Sequence, residues 1–249
     1  MIRLEGIAVG FDQRMVLEDL SLRFEPGALV GLIGPPSSGK SLLLKIIAGL
    51  VRPTRGQVWI HDTDLATAKP KSLAHVQKGI GMLFQNNALF DSKTLFENVA
   101  FPLRRAESPP SEAEIDRAVR ERIADVGLAK SIELFPHALS GGMQKRAGIA
   151  RATIGSPEVR LFDEPTAGLD PVTSARILRL IVSLHARDAR GGVTLIVSNE
   201  MDKLLEVVPR TVMLHQGRVA YDGPTAAVRA PSAPAAVRAF VEGDVSFAI

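Results

Sequence analysis

Apolar and polar residues alternate over residues 2–9 (IRLEGIAV) and again over 17–24 (LEDLSLRF), which predicts two half-buried strands joined by the loop GFDQRM. The next segment changes character. ALVGLI, at 28–33, is apolar throughout and ends at Gly34, as a strand buried on both faces does. SLLLKIIAG, at 41–49, predicts a mostly buried helix that stops at Gly49, and Pro53 and Gly56 punctuate a turn after it. QVWIHD and GIGMLF (79–84) read as two further strands.

From about residue 86 to 157 the strand pattern gives way to helical, charged sequence, which predicts an inserted helical lobe. SEAEIDRAVRERIADV (111–126) is an amphipathic helix, with Ser111 and Glu114 in capping-box spacing. Prolines 102, 109, 110 and 136 break up its surroundings, and residues 140–154 predict another helix. Then the strand–helix rhythm returns. VRLFD is a strand, Asp170-Pro171 starts a helix, VTLIVS is a strand, and TVMLHQGRVAYDG is a hairpin turning near Gly217. Such alternation predicts an α/β fold with a mostly parallel sheet and N-terminal antiparallel strands. The domain covers residues 1–222, and an Ala/Pro-rich, partly helical tail covers 223–249.

Composition narrows the class. With 249 residues, 46% of them apolar, the chain can bury one large core with an attached lobe. A net charge of +3 suits an anionic ligand such as a nucleotide and does not call for nucleic acid. The absence of cysteine excludes disulfides and thiolate metal sites. The N-terminus lacks a signal-peptide layout, and the run LLLKIIAGLV is interrupted by Lys45 and shorter than the ~20 residues a bilayer requires. A soluble, cytoplasmic chain is expected, brought to any membrane by another chain.

Two segments carry chemistry. GPPSSGKS matches G-x-x-x-x-G-K-[ST], with a buried strand before it and a helix after it. Amides at that helix start point outward and attract phosphate. Pro35 and Pro36 have no N–H, so the expected donors are the amides of Ser38, Gly39, Lys40 and Ser41. Lys40 adds a cation for the terminal phosphates, and Ser41 a hydroxyl for Mg²⁺. The second segment, VRLFDEP, ends a strand in two acids. Asp163 is placed to join the Mg²⁺ shell, and Glu164 to orient or deprotonate a water at the γ-phosphate.

LSGGMQKR (139–146), together with GPPSSGKS, Gln85 after GMLF, FDEPTAGLD and LIVS, resembles the ATP-binding subunits of ABC transporters over about residues 1–222. The resemblance implies a RecA-like P-loop NTPase core with an inserted helical subdomain, ATP and Mg²⁺ as cofactors, and a head-to-tail homodimer. Each ATP would lie between the phosphate loop of one subunit and Ser140, Gly141 and Gly142 of the other. Phe11 stands where such proteins stack an aromatic on adenine, or else is a core phenylalanine. Gln85 resembles the glutamine that reaches Mg²⁺ and the attacking water. Asp170 resembles a residue of the loop that crosses the dimer interface, and is equally an N-cap. The family usually places a histidine after the strand LIVS, and here Asn199 stands there. Asparagine donates through its amide but carries no charge and passes no proton. Either Glu164 suffices for slower turnover, or the chain binds ATP and hydrolyses it poorly.

FQNNALFDSKTLFENVAFPLR and the tail AAVRAFVEGD look like the ATPases of Mla/Mce lipid-transport systems, which work with a permease and an Mce-domain substrate-binding protein. That likeness implies integral-membrane permease partners, a place on the cytoplasmic face of the bacterial inner membrane, and no nucleic acid. Another transported substrate is the alternative. ABC-type ATPases that act on ribosomes or DNA carry two halves or long coiled coils, and this chain shows one half and no heptads. Leu89, Phe90, Leu95 and Phe96 either anchor a permease helix or pack the lobe's own core. Val228, Val237, Phe240 and Val241 either pack on a partner subunit or belong to a loosely held terminus.

Overall fold

The two alternating N-terminal segments pair as an antiparallel ribbon, β1 (Ile2–Phe11) with β2 (Arg14–Phe24). Both strands run further than the alternation predicts, and Phe11 pairs with Arg14 inside the expected loop. Register shifts at Ile7, Val9 and Gly10 break the two-residue period there, so the pattern stops before the strands do. The computed structural model describes residues 1–243 apart from residues 13 and 189. Tail residues 244–249 therefore lie outside the described residues.

Next come β3 (Leu29–Ile33), α1 (Lys40–Ile47), β4 (Arg55–Ile60), β5 (Thr63–Asp64), α2 (Pro70–Lys78) and β6 (Ile80–Leu83). The lobe supplies α3 (Leu95–Arg104), α4 (Glu112–Asp125) and α5 (Gly141–Thr153). Then follow β7 (Val159–Asp163), α6 (Pro171–Ala186), β8 (Val193–Val197), α7 (Met201–Leu205), β9 (Arg210–His215), β10 (Arg218–Pro224) and α8 (Ala235–Glu242). One sheet has the order β2-β1-β4-β5 and is antiparallel. The other has the order β10-β9-β3-β8-β7-β6 and is parallel except for the β9–β10 hairpin.

Alternation along the buried strands divides the interior in two. Val30, Leu32, Leu161, Leu195 and Val197 face α1 and the antiparallel sheet. Leu29, Ile33, Phe162 and Ile196 face α6 and the lobe. α1 is thus held between two sheets, which is why its Leu43, Leu44, Ile46 and Ile47 are all buried.

Pro102 is a correction to the sequence reading: it lies inside α3 rather than breaking the lobe there. The helix survives because Thr94 and Glu97 form a capping box at its start. α2 and α3 are both absent from the sequence reading. Leu95 is buried in the cluster the lobe shares with α6, Leu89 and Phe96 are half-buried against it, and Phe90 is the exposed one of the four candidate anchors. Asn98 ties this segment together, accepting from Phe90 N and donating to the carbonyls of Phe90, Lys93 and Thr94.

Lobe and core meet tightly at β6. A Cβ on Gly81 would overlap the carbonyl of Ala152 and come 2.8 Å from Pro157 Cγ. Gly81→Ala is expected to destabilise the chain by about 1–3 kcal/mol, the usual cost of overpacking, and thermal melting checks it.

Candidate nucleotide site

Parallel register brings the chemistry to one edge. Asp163 pairs with Val197, Leu32 with Val197, and Leu83 with Phe162. The segments just beyond β3, β6, β7 and β8 therefore emerge together, carrying Gly34, Gln85, Glu164 and Asn199. Ligands of open α/β sheets bind at this carboxyl end.

At Gly34 (φ 142) the chain passes so close to the Leu214 carbonyl that no side chain fits. Ser38 N donates to Pro35 O at 3.3 Å, closing the loop's own turn. Gly39 is left-handed (φ 97) and no side chain caps α1, so the first amides of the helix face the loop. Lys40 is buried, and its ammonium donates to Gly34 O at 2.7 Å and Pro35 O at 2.9 Å. Burial pulls its pKa below the ordinary lysine value, while Glu164 and Asp163 oppose that shift. Ser38 Oγ is buried without a hydrogen-bond partner.

Ser41 Oγ donates to Asp163 Oδ1 at 2.7 Å. A hydroxyl beside one buried carboxylate, with the Gln85 side chain on the same cleft, is a hard-oxygen set that fits Mg²⁺ completed by phosphates and waters. The described residues contain no cluster of three or more His, Cys, Asp or Glu that would hold a metal by themselves.

Glu164 occupies a left-handed backbone (φ 51), rare for a residue with a side chain. Its N–H donates to Val197 O at 3.0 Å, and its carboxylate accepts from Asn199 N at 3.0 Å. Asn199 thus grips Glu164 through its backbone, which any residue but proline can do at that position, leaving its exposed side chain to the cleft. Burial pushes the Glu164 pKa up, and Asp163 adds to that. The Asn199 amide, Lys40 and Lys145 pull the other way.

A cleft of about 830 Å³ collects Phe11, Ser38, Gly39, Lys40, Ser41, Gln85, Glu164 and Asn199. Phe11 is 54% exposed, so it is not a core residue. It lies at the cleft's apolar end with Met15 and Val16, a surface suited to a flat aromatic base.

The remaining candidates lie elsewhere. Ser140 caps α5, accepting from Met143 N at 3.4 Å. Gly141 and Gly142 stand next to Leu169 and Thr173. Asp170 caps α6, accepting from Val172 N and Thr173 N, and the Thr173 side chain together with these amides holds its carboxyl below the usual range. Ser140, Gly141 and Asp170, all exposed, and the half-buried Gly142 lie outside the cleft. One residue near Glu164 escaped the sequence reading. Lys145, quoted within LSGGMQKR, is 4% exposed and points inward. A lysine on a helix reads as solvated, and only the packing of α5 on β6 shows otherwise.

A strand–loop–helix with a buried lysine, and a strand-end acid pair beside it, define a P-loop nucleotide-binding protein. A family model described as ABC transporter matches residues 17–167, and the chain belongs to that family. It is 39% identical over 207 residues to a methionine import ATP-binding protein MetN of Carboxydothermus hydrogenoformans, covering 83% of this chain and 60% of that one. It is 38% identical over 243 residues to the probable ribonucleotide transport ATP-binding protein mkl of Mycobacterium tuberculosis, covering 97% of this chain. The chain spans 60% to 66% of the length of these two curated relatives. Among solved structures, the ATP-binding cassette MJ0796, a dimer in a post-hydrolysis state with ADP and Pi, superposes with a TM-score of 0.82 at 28% identity. That match covers 90% of this chain and 99% of the other. cbiO1 of Clostridium perfringens, part of the ABC transporter complex cbiONQ, gives 0.82 at 25% identity over 92% of this chain and 90% of the other. The fold is therefore that of the ATP-binding cassettes of ABC transporters, proteins that act on ATP with Mg²⁺.

Proposed function

We propose that this chain is the ATP-hydrolysing subunit of an ABC transporter, working as a head-to-tail homodimer on a membrane permease. One observation carries the reading. The cleft holds one set of phosphate-binding groups, while the Ser140 corner, a capped helix start with Gly141 exposed and Gly142 half-buried, lies outside it. A second copy supplies that corner. In this reading Lys40 and the α1 amides hold the phosphates. Ser41, Asp163 and Gln85 would hold Mg²⁺, which would supply neutralisation of phosphate charge. Glu164 takes the proton of the attacking water. Asp170 lies at the interface. The test is the mass of Glu164→Gln with Mg-ATP: a dimer is expected, and a monomer even with permease present would overturn the proposal.

No helix among the described residues is long and apolar enough to cross a membrane, so a permease would hold the chain peripherally, at the cytoplasmic face of the inner membrane. The transported substrate is proposed to be lipid, with an Mce-domain protein in the complex. The segment FQNNALFDSKTLFENVAFPLR supports this. The relatives' names speak instead of methionine and ribonucleotides. Co-purification with an Mce-associated permease is expected, and partnership with an amino-acid permease would reject the lipid reading.

Asn199 favours slow but real hydrolysis, because Glu164 is already held by the backbone of that residue. Asn199→His restores a side chain able to contact phosphate with charge. It is expected to raise steady-state turnover by about tenfold, less than the roughly 10²–10⁴-fold a positioned proton-handling group usually contributes, because Glu164 already acts as base. A native rate equal to that of Glu164→Gln would mean that the chain binds ATP without hydrolysing it.

A further inference from the structure

Lys145 is an internal cation that the phosphate chemistry does not use. It sits on α5, one turn past the Ser140 corner, and points into the protein. Its Nζ donates to Gln85 O at 2.6 Å and to Glu164 O at 3.3 Å. These are the main-chain carbonyls of the two residues proposed to flank the attacking water. No other lysine or arginine among the described side chains bonds either carbonyl.

The backbone at Glu164 needs such support. A left-handed φ on a residue with a Cβ costs roughly 1–2 kcal/mol and persists where its surroundings over-determine it. Glu164 is fixed at its N–H by Val197 O, at its carboxylate by Asn199 N, and at its carbonyl by Ala167 N (3.2 Å) and Lys145. Gln85 has no comparable frame, for its side chain is exposed and its loop leaves the sheet after β6. The same helix holds that loop further on: Arg151 donates to Asn87 O at 2.9 Å and Ala88 O at 2.7 Å. Asn87 and Ala88 are themselves left-handed, with φ of 59 and 50. Gly148, between the two cations, lets α5 close against Leu83 and Asn87, and a Cβ there would overlap the Leu83 side chain.

We propose that Lys145 is a positioning residue that sets the spacing of Gln85 and Glu164 through their carbonyls. It rides on the helix that begins at Ser140. It therefore also links the water-activating geometry of one subunit to the seating of that helix on the partner's nucleotide. The second statement rests on the head-to-tail reading above, and the first does not. Lys145 does not line the cleft, and its influence runs through main-chain groups.

The experiment compares Lys145→Gln, which keeps an N–H donor, with Lys145→Met, which keeps length and loses every donor. Each is assayed for ATPase kcat and KM, for melting temperature, and for the ATP-dependent dimer in the Glu164→Gln background. Lys145→Met is expected to lose about 10- to 100-fold in kcat, the range that misplacement by about 1 Å produces. KM for ATP, dimer formation and melting should stay near native. Lys145→Gln is expected to recover most of kcat. Equal kcat in the two variants would overturn the proposal. So would a Lys145→Met chain that fails to fold, or one whose kcat falls only alongside ATP binding, since either makes the lysine a fold determinant. If native-Lys145 Glu164→Gln stays monomeric with Mg-ATP, the dimer reading fails, while the kcat comparison still decides the positioning role.

Discussion

Glu164→Gln is expected to lower steady-state ATP hydrolysis by roughly 10²–10⁴-fold, the usual contribution of a positioned general base, and to leave nucleotide binding intact. The substitution keeps size and one acceptor oxygen, so the bond from Asn199 N survives while the proton-accepting site goes. A second effect follows from burial. The folded pKa of Glu164 is raised, chiefly by desolvation. A carboxyl so shifted is bound to its proton more tightly in the folded chain than in the unfolded one. Its contribution to stability is present below the ordinary carboxylate range and is lost as pH rises through the raised value. Without nucleotide or Mg²⁺, the glutamine variant should therefore melt higher than the native chain near neutral pH. The two should converge under acid conditions. Melting curves across pH check this, and a native chain that melts higher at neutral pH would show the ionised carboxylate to be a net support.

Lys40→Met is expected to weaken ATP binding by about 10- to 100-fold, because hydrogen bonds to a charged group are worth about 1.5–3 kcal/mol. The ammonium has three donors, and the Gly34 and Pro35 carbonyls take two of them. The third is available to phosphate. Methionine preserves most of the buried stem, so the loss should appear in nucleotide titration more than in melting. Those two carbonyls lose their donor as well, which adds a loosening of the loop to the missing charge. Binding within threefold of native would remove Lys40 from the phosphate site.

Much of the fold was legible because its central strands are short and mostly apolar. ALVGLI, VRLFD and VTLIVS contain the fully buried strands Leu29–Ile33, Val159–Asp163 and Val193–Val197, although VRLFD carries two charged residues. Elements that obey local rules were legible too, as with the Ser111–Glu114 capping box and the Asp170 cap. Failures came where tertiary packing overrode local rules. Pro102 is tolerated because α3 is capped and packed, and β1 outruns its alternation because bulges shift its register. The phosphate loop and acid pair were readable from spacing, since both are contiguous segments. Lys145 was not, because its role depends on contacts with residues 60 positions before it and 19 after it.

The tail packs inward: Val228, Val237 and Val241 are buried in the same cluster as α6 and the lobe, with Phe240 against them, so three of the four residues weighed for a subunit contact are covered by their own chain. Arg229 adds a bond to Asp202 at the start of α7. Ending the polypeptide at Gly223 would strip a hydrophobic lid from the sheet's flank and leave sticky surface in water. Shortened versions of this protein should then precipitate or melt early whatever nucleotide they are given, so poor behaviour of a trimmed chain would report lost shielding rather than lost pairing.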